Sequence, residues 1–374
     1  MKRLIDFQTQ VTGKMTPFLF AVILCLTCTV SGKSQTKKIF WTKESSPEKI
    51  SSRITENLLG RPDFMIYHTD DIHTIHYAEV CTAFGAARIA GLEKDTALLI
   101  QIEKRYRPVF NDSLLGPPGH VDINVYGILP FELYKHLSMY PLLKQGKYLA
   151  DQQWENPLPG GLTPQTRYWI DDIWMIGSLQ IQAYRVTGEQ KYIERAALEI
   201  ASYLQKLQQP NGLFFHGENA PFYWGRGNGW VAAGLAELIS ELPPSNKHYQ
   251  FIRDGYEKMM KSLLRYQADD GMWRQLIDHE NSWTETSSTA MFGYAMTVGV
   301  KKGILKDPAF TKAYQRAWLS LVNYMNDKGE LSDVCVGTGQ SRDVQYYLDR
   351  GKVTGDLHAQ APMLWFAFSI MNEY

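Results

Sequence analysis

The sequence predicts an all-α fold, an (α/α)6 barrel of six helical hairpins, on three observations. Apolar residues return at helix spacing along nearly the whole chain, whereas period-two alternation of any length is scarce. The helix-period segments number twelve, beginning near Ser46, Ile72, Lys94, Val121, Pro141, Trp169, Gln190, Trp230, Lys247, Thr286, Asp307 and His358. Three helix-to-loop junctions also resemble one another: Leu207 to Phe214, Tyr266 to Trp273 and Tyr324 to Leu331. Their glycines, Gly212, Gly271 and Gly329, stand 59 and 58 residues apart, a period that fits two helices and a loop. Each glycine is expected at a helix C-cap, where φ is positive. An open superhelix of helical pairs shares this local pattern and differs only in closure. The long intervals rich in Trp, Gly, His and Asp favour the closed ring, with one end carrying loops around a pocket.

The elements begin after a leader. Lys2, Arg3 and Lys14 precede an apolar run from Pro17 to about Val30, followed by Ser31-Gly32, which reads as a secretory signal peptide over residues 1–32 and predicts a periplasmic or secreted protein. Lipid attachment at Cys28 is disfavoured by the Leu26-Thr27 that precedes it. No stretch reaches the roughly 20 apolar residues of a membrane span. Residues 33–45 form an N-terminal extension and 46–374 a single catalytic domain. Apolar residues are 44% and charged residues 21% of 374, enough for a large core. Removing the leader takes a balance of 39 basic against 39 acidic residues to about −2, which argues against a nonspecific nucleic-acid binder. Only Cys81 and Cys335 remain beyond the leader, so one disulfide is allowed and a disulfide scaffold is excluded.

The densest chemistry lies in Gly212-Leu213-Phe214-Phe215-His216-Gly217-Glu218 and in Trp224-Gly225-Arg226-Gly227-Asn228-Gly229-Trp230. Alternating glycines let backbone approach a ligand; Arg226 and Asn228 offer a fork and an amide, and Trp224 and Trp230 offer flat faces. That set suits an acidic sugar. The alternative is a glycine-rich turn with packed tryptophans. Nothing precedes it that would make a dinucleotide loop. In Tyr168-Trp169-Ile170-Asp171-Asp172-Ile173-Trp174 two acids open a helix; both could serve the helix dipole, but aromatic neighbours would desolvate Asp171 and favour its protonated form. His120-Val121-Asp122 places another acid at a helix start, an N-cap taken alone. Paired with Asp171 it becomes half of a carboxylate dyad, in which one member keeps its proton near neutral pH. Tyr77 can reach the same pocket, and His73 with His76 lacks the companions of a metal site. Thr286 to Thr289 reads as capping, and no serine elbow or catalytic cysteine motif is present.

Together these residues resemble glycoside hydrolase family 105, the unsaturated rhamnogalacturonyl hydrolases, with the family 88 glucuronyl hydrolases as relatives. The similarity spans nearly the whole chain after the leader, most clearly Trp169-Ile170-Asp171, His216-Gly217, Trp224 to Trp230 and Glu285 to Met291. It implies an (α/α)6 barrel and an enzyme that hydrates the C4=C5 bond a polysaccharide lyase leaves on a terminal uronic acid. By the same resemblance Asp171 is the general acid/base and Asp122 its partner, and His216, Trp224 and Arg226 line the pocket. Arg226 would take the substrate carboxylate, and Trp230 and Tyr77 would supply ring contacts. It implies no metal or organic cofactor, and an unsaturated acidic oligosaccharide as the partner. Gly160-Gly161-Leu162-Thr163 stands where several members carry a His, which leaves the neighbouring subsite open. An ordinary (α/α)6 glycosidase or lyase, and a noncatalytic glycan-binding protein, are the competing expectations.

Overall fold

Helices form where the sequence repeats at helix spacing. The computed structural model describes residues 41–68, 73–111 and 114–374; the leader, most of the N-terminal extension and Asp70-Asp71 lie outside the described residues. Among these the long helices are α1 (Pro47–Gly60), α2 (Tyr77–Glu93), α3 (Thr96–Phe110), α5 (Ile128–Leu137), α6 (Tyr140–Gln152), α7 (Asp172–Thr187), α8 (Gln190–Leu207), α9 (Gly225–Glu241), α10 (Tyr249–Tyr266), α11 (Thr286–Lys301), α12 (Pro308–Val322) and α14 (Leu357–Met371). Two short ones are α4 (Val121–Asn124) and α13 (Val344–Leu348). A 3-10 turn over Val125–Gly127 joins α4 to α5, which lets Pro130 fall in the first turn of α5, where its missing N–H costs nothing. Three two-stranded antiparallel pairs decorate the loops: Ile66–His68 with His73–Ile75, Trp273–Arg274 with Thr284–Glu285, and Val334–Cys335 with Lys352–Val353.

The helices alternate between two rings. Packing runs α2 to α5, α5 to α7, α7 to α9, α9 to α11, α11 to α14 and α14 back to α2, which closes the inner ring, and α1, α3, α6, α8, α10 and α12 lie outside it. The (α/α)6 barrel is therefore closed. Burial follows position: α2 is buried continuously from Ala78 to Ala90, as a helix covered on all sides must be, while α8 buries only one stripe, Tyr192, Ile193, Ala196, Ile200 and Tyr203 among it. Tryptophans fill the centre. Trp174 stacks on Trp365 at 4.0 Å and 17°, and Trp230 packs 5.9 Å from both.

The repeated glycines have a different cause from the one expected. Helix α8 ends at Leu207 with Gln208 extended, and Gly212 lies beyond, at the end of a turn in which its N–H donates to the Gln209 carbonyl at 2.8 Å. Its φ of 93° demands glycine. A Cβ there would meet the Lys258 carbonyl of α10 at 2.7 Å; Gly271 and Gly329 face Arg316 of α12 and Arg53 of α1 in the same way. Each junction thus seats on the next outer helix, and the third returns to the first, so the motif records ring closure rather than helix capping.

Because one outer helix separates each inner helix from the next, all six inner helices run the same way. Their N-termini gather at one end. Two starts differ from expectation. The segment near Ile72 becomes helical only at Tyr77, after the first strand pair. The helix expected at Trp230 starts at Gly225, so the glycine-rich run is its first turn; the Gly225 N–H donates to the Gln275 carbonyl at 2.7 Å, an approach that side chains would block.

Candidate active site

The gathered N-termini surround a cavity of about 350 Å³. Asp122 and Asp171 both line it, with Tyr77, Trp224 and Arg226 from the expected set, and Tyr67, His76, His120, Arg167, Trp169, His358 and Gly337 to Gly339 besides. A larger apolar groove of about 650 Å³ between α3 and α6 contains no such pair of acids.

Asp171 is the N-cap of α7, yet its side chain caps nothing. Its Oδ2 is buried without a hydrogen-bond partner, 3.9 Å from His216 Nε2, itself unpartnered. Burial, then the neighbouring Asp172, pushes the Asp171 carboxyl up to about 6. Asp122, the second residue of α4, is pushed up to about 7 by burial, against the pull of Arg167, with Asp172 and Asp171 adding to the rise. Both acids thus line one cavity and both feel Asp172, with Asp171 adding a smaller push on Asp122.

The loop that carries Asp171 is held from outside the ring. Tyr168 has φ of 55°, and the Arg167 and Tyr168 N–H groups both donate to Tyr203 Oη, which donates to Asp172 Oδ2 at 2.9 Å. Arg167 Nη2 donates to Asp172 Oδ1 at 2.5 Å. Glu199 accepts from Thr166 Oγ1 at 2.6 Å. Asp172 is thus the anchor of the loop, which leaves Asp171 as the acid free for chemistry.

His216, expected to line the pocket, is instead fully buried behind Asp171 and Trp224 and is not among the residues that line the cavity. Its Nδ1 pairs with Tyr347 Oη at 2.8 Å, and its ring packs 4.6 Å from Trp224. Burial, helped by Arg226, pushes its pKa down to about 3, so it is neutral.

Three further expectations are corrected. Arg226 lines the cavity, but its two terminal nitrogens donate to the carbonyls of Cys335 and Val336; the fork is already occupied and does not present two-point geometry to a carboxylate. Among the described residues it forms no ion pair, and its Nε is buried without a partner. It is a buried cation without a direct ion pair, whose charge Glu285 and Asp356 balance from a greater distance. Asn228 does not reach the cavity: its amide donates to the Phe214 and Trp224 carbonyls and accepts from the Phe214 N–H at 2.9 Å, fastening the His216 loop to α9. Trp230 is fully buried one turn below Arg226 and belongs to the tryptophan core. Cys81 and Cys335 are separate buried thiols.

Other residues escaped the sequence reading. Glu285 caps α11, accepting from the Ser287 and Ser288 N–H groups, and also accepts from the Cys335 N–H at 3.0 Å, so it ties the Gly337 to Gly339 wall to the ring. At the start of α14, His358 was read only as a helix beginning and Asp356 not at all; an acid two residues before a histidine at a helix N-terminus was the available signal.

The family model for Glycosyl Hydrolase Family 88 matches residues 62–374. The chain is 30% identical over 178 residues to an unsaturated 3S-rhamnoglycuronyl hydrolase of Alteromonas sp. (strain LOR), covering 44% of this chain and 43% of that protein. It is 24% identical over 187 residues to the unsaturated rhamnogalacturonyl hydrolase YesR of Bacillus subtilis, covering 48% and 52%. The chain spans about half the length of the curated relatives it matches. In fold it is similar to a possible family 105 member from Klebsiella pneumoniae, with TM-score 0.81 at 18% identity over 96% of this chain and 99% of that one. It is also similar to the unsaturated glucuronyl hydrolase of a streptococcus, with TM-score 0.61 at 13% identity over 90% and 94%.

Proposed function

The chain belongs to glycosyl hydrolase family 88, and from that premise we propose that it removes the terminal 4,5-unsaturated uronic acid from lyase-generated oligosaccharides, with rhamnose next to the uronate. The observation that carries the reading is one cavity holding two acids of raised pKa beside a buried arginine that has no carboxylate partner. Six inner-helix N-termini add positive potential at that end. An anionic sugar would meet Arg226 through the field rather than through a fork, adding to the charge that Glu285 and Asp356 already set against it.

In the proposed reaction the Asp171 carboxyl transfers its proton to C4 of the vinyl ether. The positive charge that develops at C5 and the ring oxygen is met by the new Asp171 carboxylate and by Asp122. Water adds at C5 and returns a proton to Asp171, and the hemiketal opens with release of the next sugar. Asp171, raised to about 6, keeps part of its population protonated just below neutral pH, and that fraction is the donor. No step attacks the glycosidic carbon, so carboxylate separation does not decide the stereochemistry.

The test is absorbance of the unsaturated uronate. Incubated with rhamnogalacturonan-lyase products, the chain is expected to erase the ultraviolet band; a band that persists across unsaturated galacturonyl and glucuronyl oligosaccharides sinks the proposal. The Alteromonas relative, named for an unsaturated 3S-rhamnoglycuronyl substrate, favours a second reading in which the substrate is of that type, and the same assay with unsaturated 3S-rhamnoglycuronyl oligosaccharides separates the two. In this proposal the leader places the reaction in the periplasm or outside the cell, which fractionation checks.

A further inference from the structure

Behind Tyr77 stands a chain of side chains that the proposed reaction does not use. Asp356 caps α14, accepting the His358 backbone N–H at 2.9 Å, and the same oxygen lies 2.6 Å from His358 Nδ1. His358 Nε2 lies 2.9 Å from Tyr77 Oη. Tyr77 and His358 both line the cavity. The phenol ring is fixed on several sides: His76 packs 4.3 Å from it, and His358 and Trp230 meet it edge-on at 5.3 and 6.0 Å.

The direction of these hydrogen bonds follows from chemistry. A carboxylate only accepts, so Nδ1 carries a proton; in the ring form with one proton, Nε2 shows a lone pair. Tyr77 must donate its O–H to that lone pair. Its proton is thereby turned away from the cavity, and its oxygen can only accept from whatever enters. Burial pushes His76 down to about 3, so His76 does not compete with His358 for Asp356, which feels Arg226 only at a distance.

We propose that the Tyr77 oxygen orients the water that adds to C5, and that His358 and Asp356 are positioning residues that fix which way the Tyr77 proton points. The proposal rests on the hydration reading. A water attacking an oxocarbenium carbon directs a lone pair at carbon, so both of its hydrogens need acceptors. The Asp171 carboxylate, ionised after protonating C4, is one and takes the proton; Tyr77 is the other and keeps its own. Atoms and charge balance without a further reactant.

Asp356→Asn tests this with almost no change of shape. The amide still caps α14, but its N–H donates to Nδ1, which drives the imidazole proton to Nε2 and turns the Tyr77 O–H into the cavity. In protein labelled with 15N-histidine, the His358 signals, identified by their loss in His358→Gln, should show Nδ1 protonated and Nε2 bare, and the reverse in Asp356→Asn. A wild-type His358 protonated at Nε2 overturns the proposal whatever the substrate. On an oligosaccharide the wild type turns over, Asp356→Asn should lower kcat roughly 10- to 100-fold, the rate equivalent of one well-placed hydrogen bond, with KM within about twofold. In a Tyr77→Phe background the same substitution should add nothing. A loss that persists in that background, or that appears wholly in KM, overturns the proposal. An unaltered kcat in Asp356→Asn with an active wild type defeats this proposal alone; a wild type inactive on every unsaturated oligosaccharide defeats the hydration reading and this proposal with it.

Discussion

The two ends of the inner ring treat buried charge in opposite ways. At the C-terminal end Arg88 meets Glu237 at 2.7 Å, Arg185 joins the same carboxylate and also meets Glu241 at 2.9 Å, and Tyr294 donates to Glu237. Burial alone would raise Glu237, yet Arg185 and Arg88 hold it down to about 2. At the N-terminal end Arg226 has carbonyls but no carboxylate, Asp171 is pushed up to about 6, and four buried polar atoms lack partners: Asp171 Oδ2, His216 Nε2, Trp224 Nε1 and Arg226 Nε. The helices α7 and α9 contribute to both ends. Local sequence preference therefore does not explain the difference; one end pairs its buried charges, with Tyr374 Oη left over among them, and the other leaves an acid and a cation with vacant hydrogen-bonding capacity, which costs stability unless a ligand uses it.

Substitutions at the two ends should separate activity from stability. The largest effect is expected from Asp171→Asn, which keeps shape and removes the proton donor: kcat on unsaturated oligosaccharides should fall at least about a thousandfold, roughly 4 kcal/mol, with unchanged circular dichroism. Retention of a tenth of the activity would remove Asp171 from the mechanism. Next comes Glu237→Gln, which strands Arg88 and Arg185 in the interior; the expected loss is about 3 kcal/mol of stability by denaturant titration, with KM unchanged in protein that remains folded. A fully active Glu237→Gln of wild-type stability would erase the contrast between the ends.

Asn228→Ala sharpens the same distinction inside the active-site end. Its amide makes two backbone hydrogen bonds to Phe214 of the His216 loop and a third to the Trp224 carbonyl at the start of α9, so truncation should cost about 2 kcal/mol of stability and act on kcat through a displaced His216. A rise in KM alone would restore it as a substrate contact. The error in reading Asn228 is instructive. Trp224, Arg226, Asn228 and Trp230 share a face only on an extended run; on a helix each step of two turns by about 200°, so Asn228 points away from Arg226 and Trp230 lies a turn deeper. Low helix propensity of Gly-Arg-Gly-Asn-Gly concealed the helix, which tertiary contacts with the Gln275 segment supply. The twelve helix-period segments were legible because burial imposes their spacing, and Asp171 because an acid at a helix start between tryptophans is visible locally, whereas Asp122 alone read as an N-cap and became a candidate only when paired with Asp171. The occupation of Arg226 was not, since its carbonyl partners lie 109 and 110 residues along the chain.

The smallest predicted effect is a pH dependence whose sign differs between the two ends. Asp122 titrates at about 7 in the folded chain and near 4 when unfolded. A carboxyl raised by folding contributes stability that is fully present below the unfolded value and is lost as pH rises through the folded one, so Asp122 weakens the fold between about pH 4 and pH 7. Asp122→Asn removes that loss. Relative to wild type it should gain on the order of 1–2 kcal/mol on going from pH 4.5 to pH 8, read as about 2–3 °C in Tm. Glu237 is the mirror case. Its folded pKa is depressed, so its contribution stands above about pH 4.5 and is lost only on acidification toward pH 2. Parallel Tm profiles for Asp122→Asn and wild type from pH 4.5 to pH 8 would mean that Asp122 is solvated and ionised in the folded chain, and the pair of raised acids would lose a member.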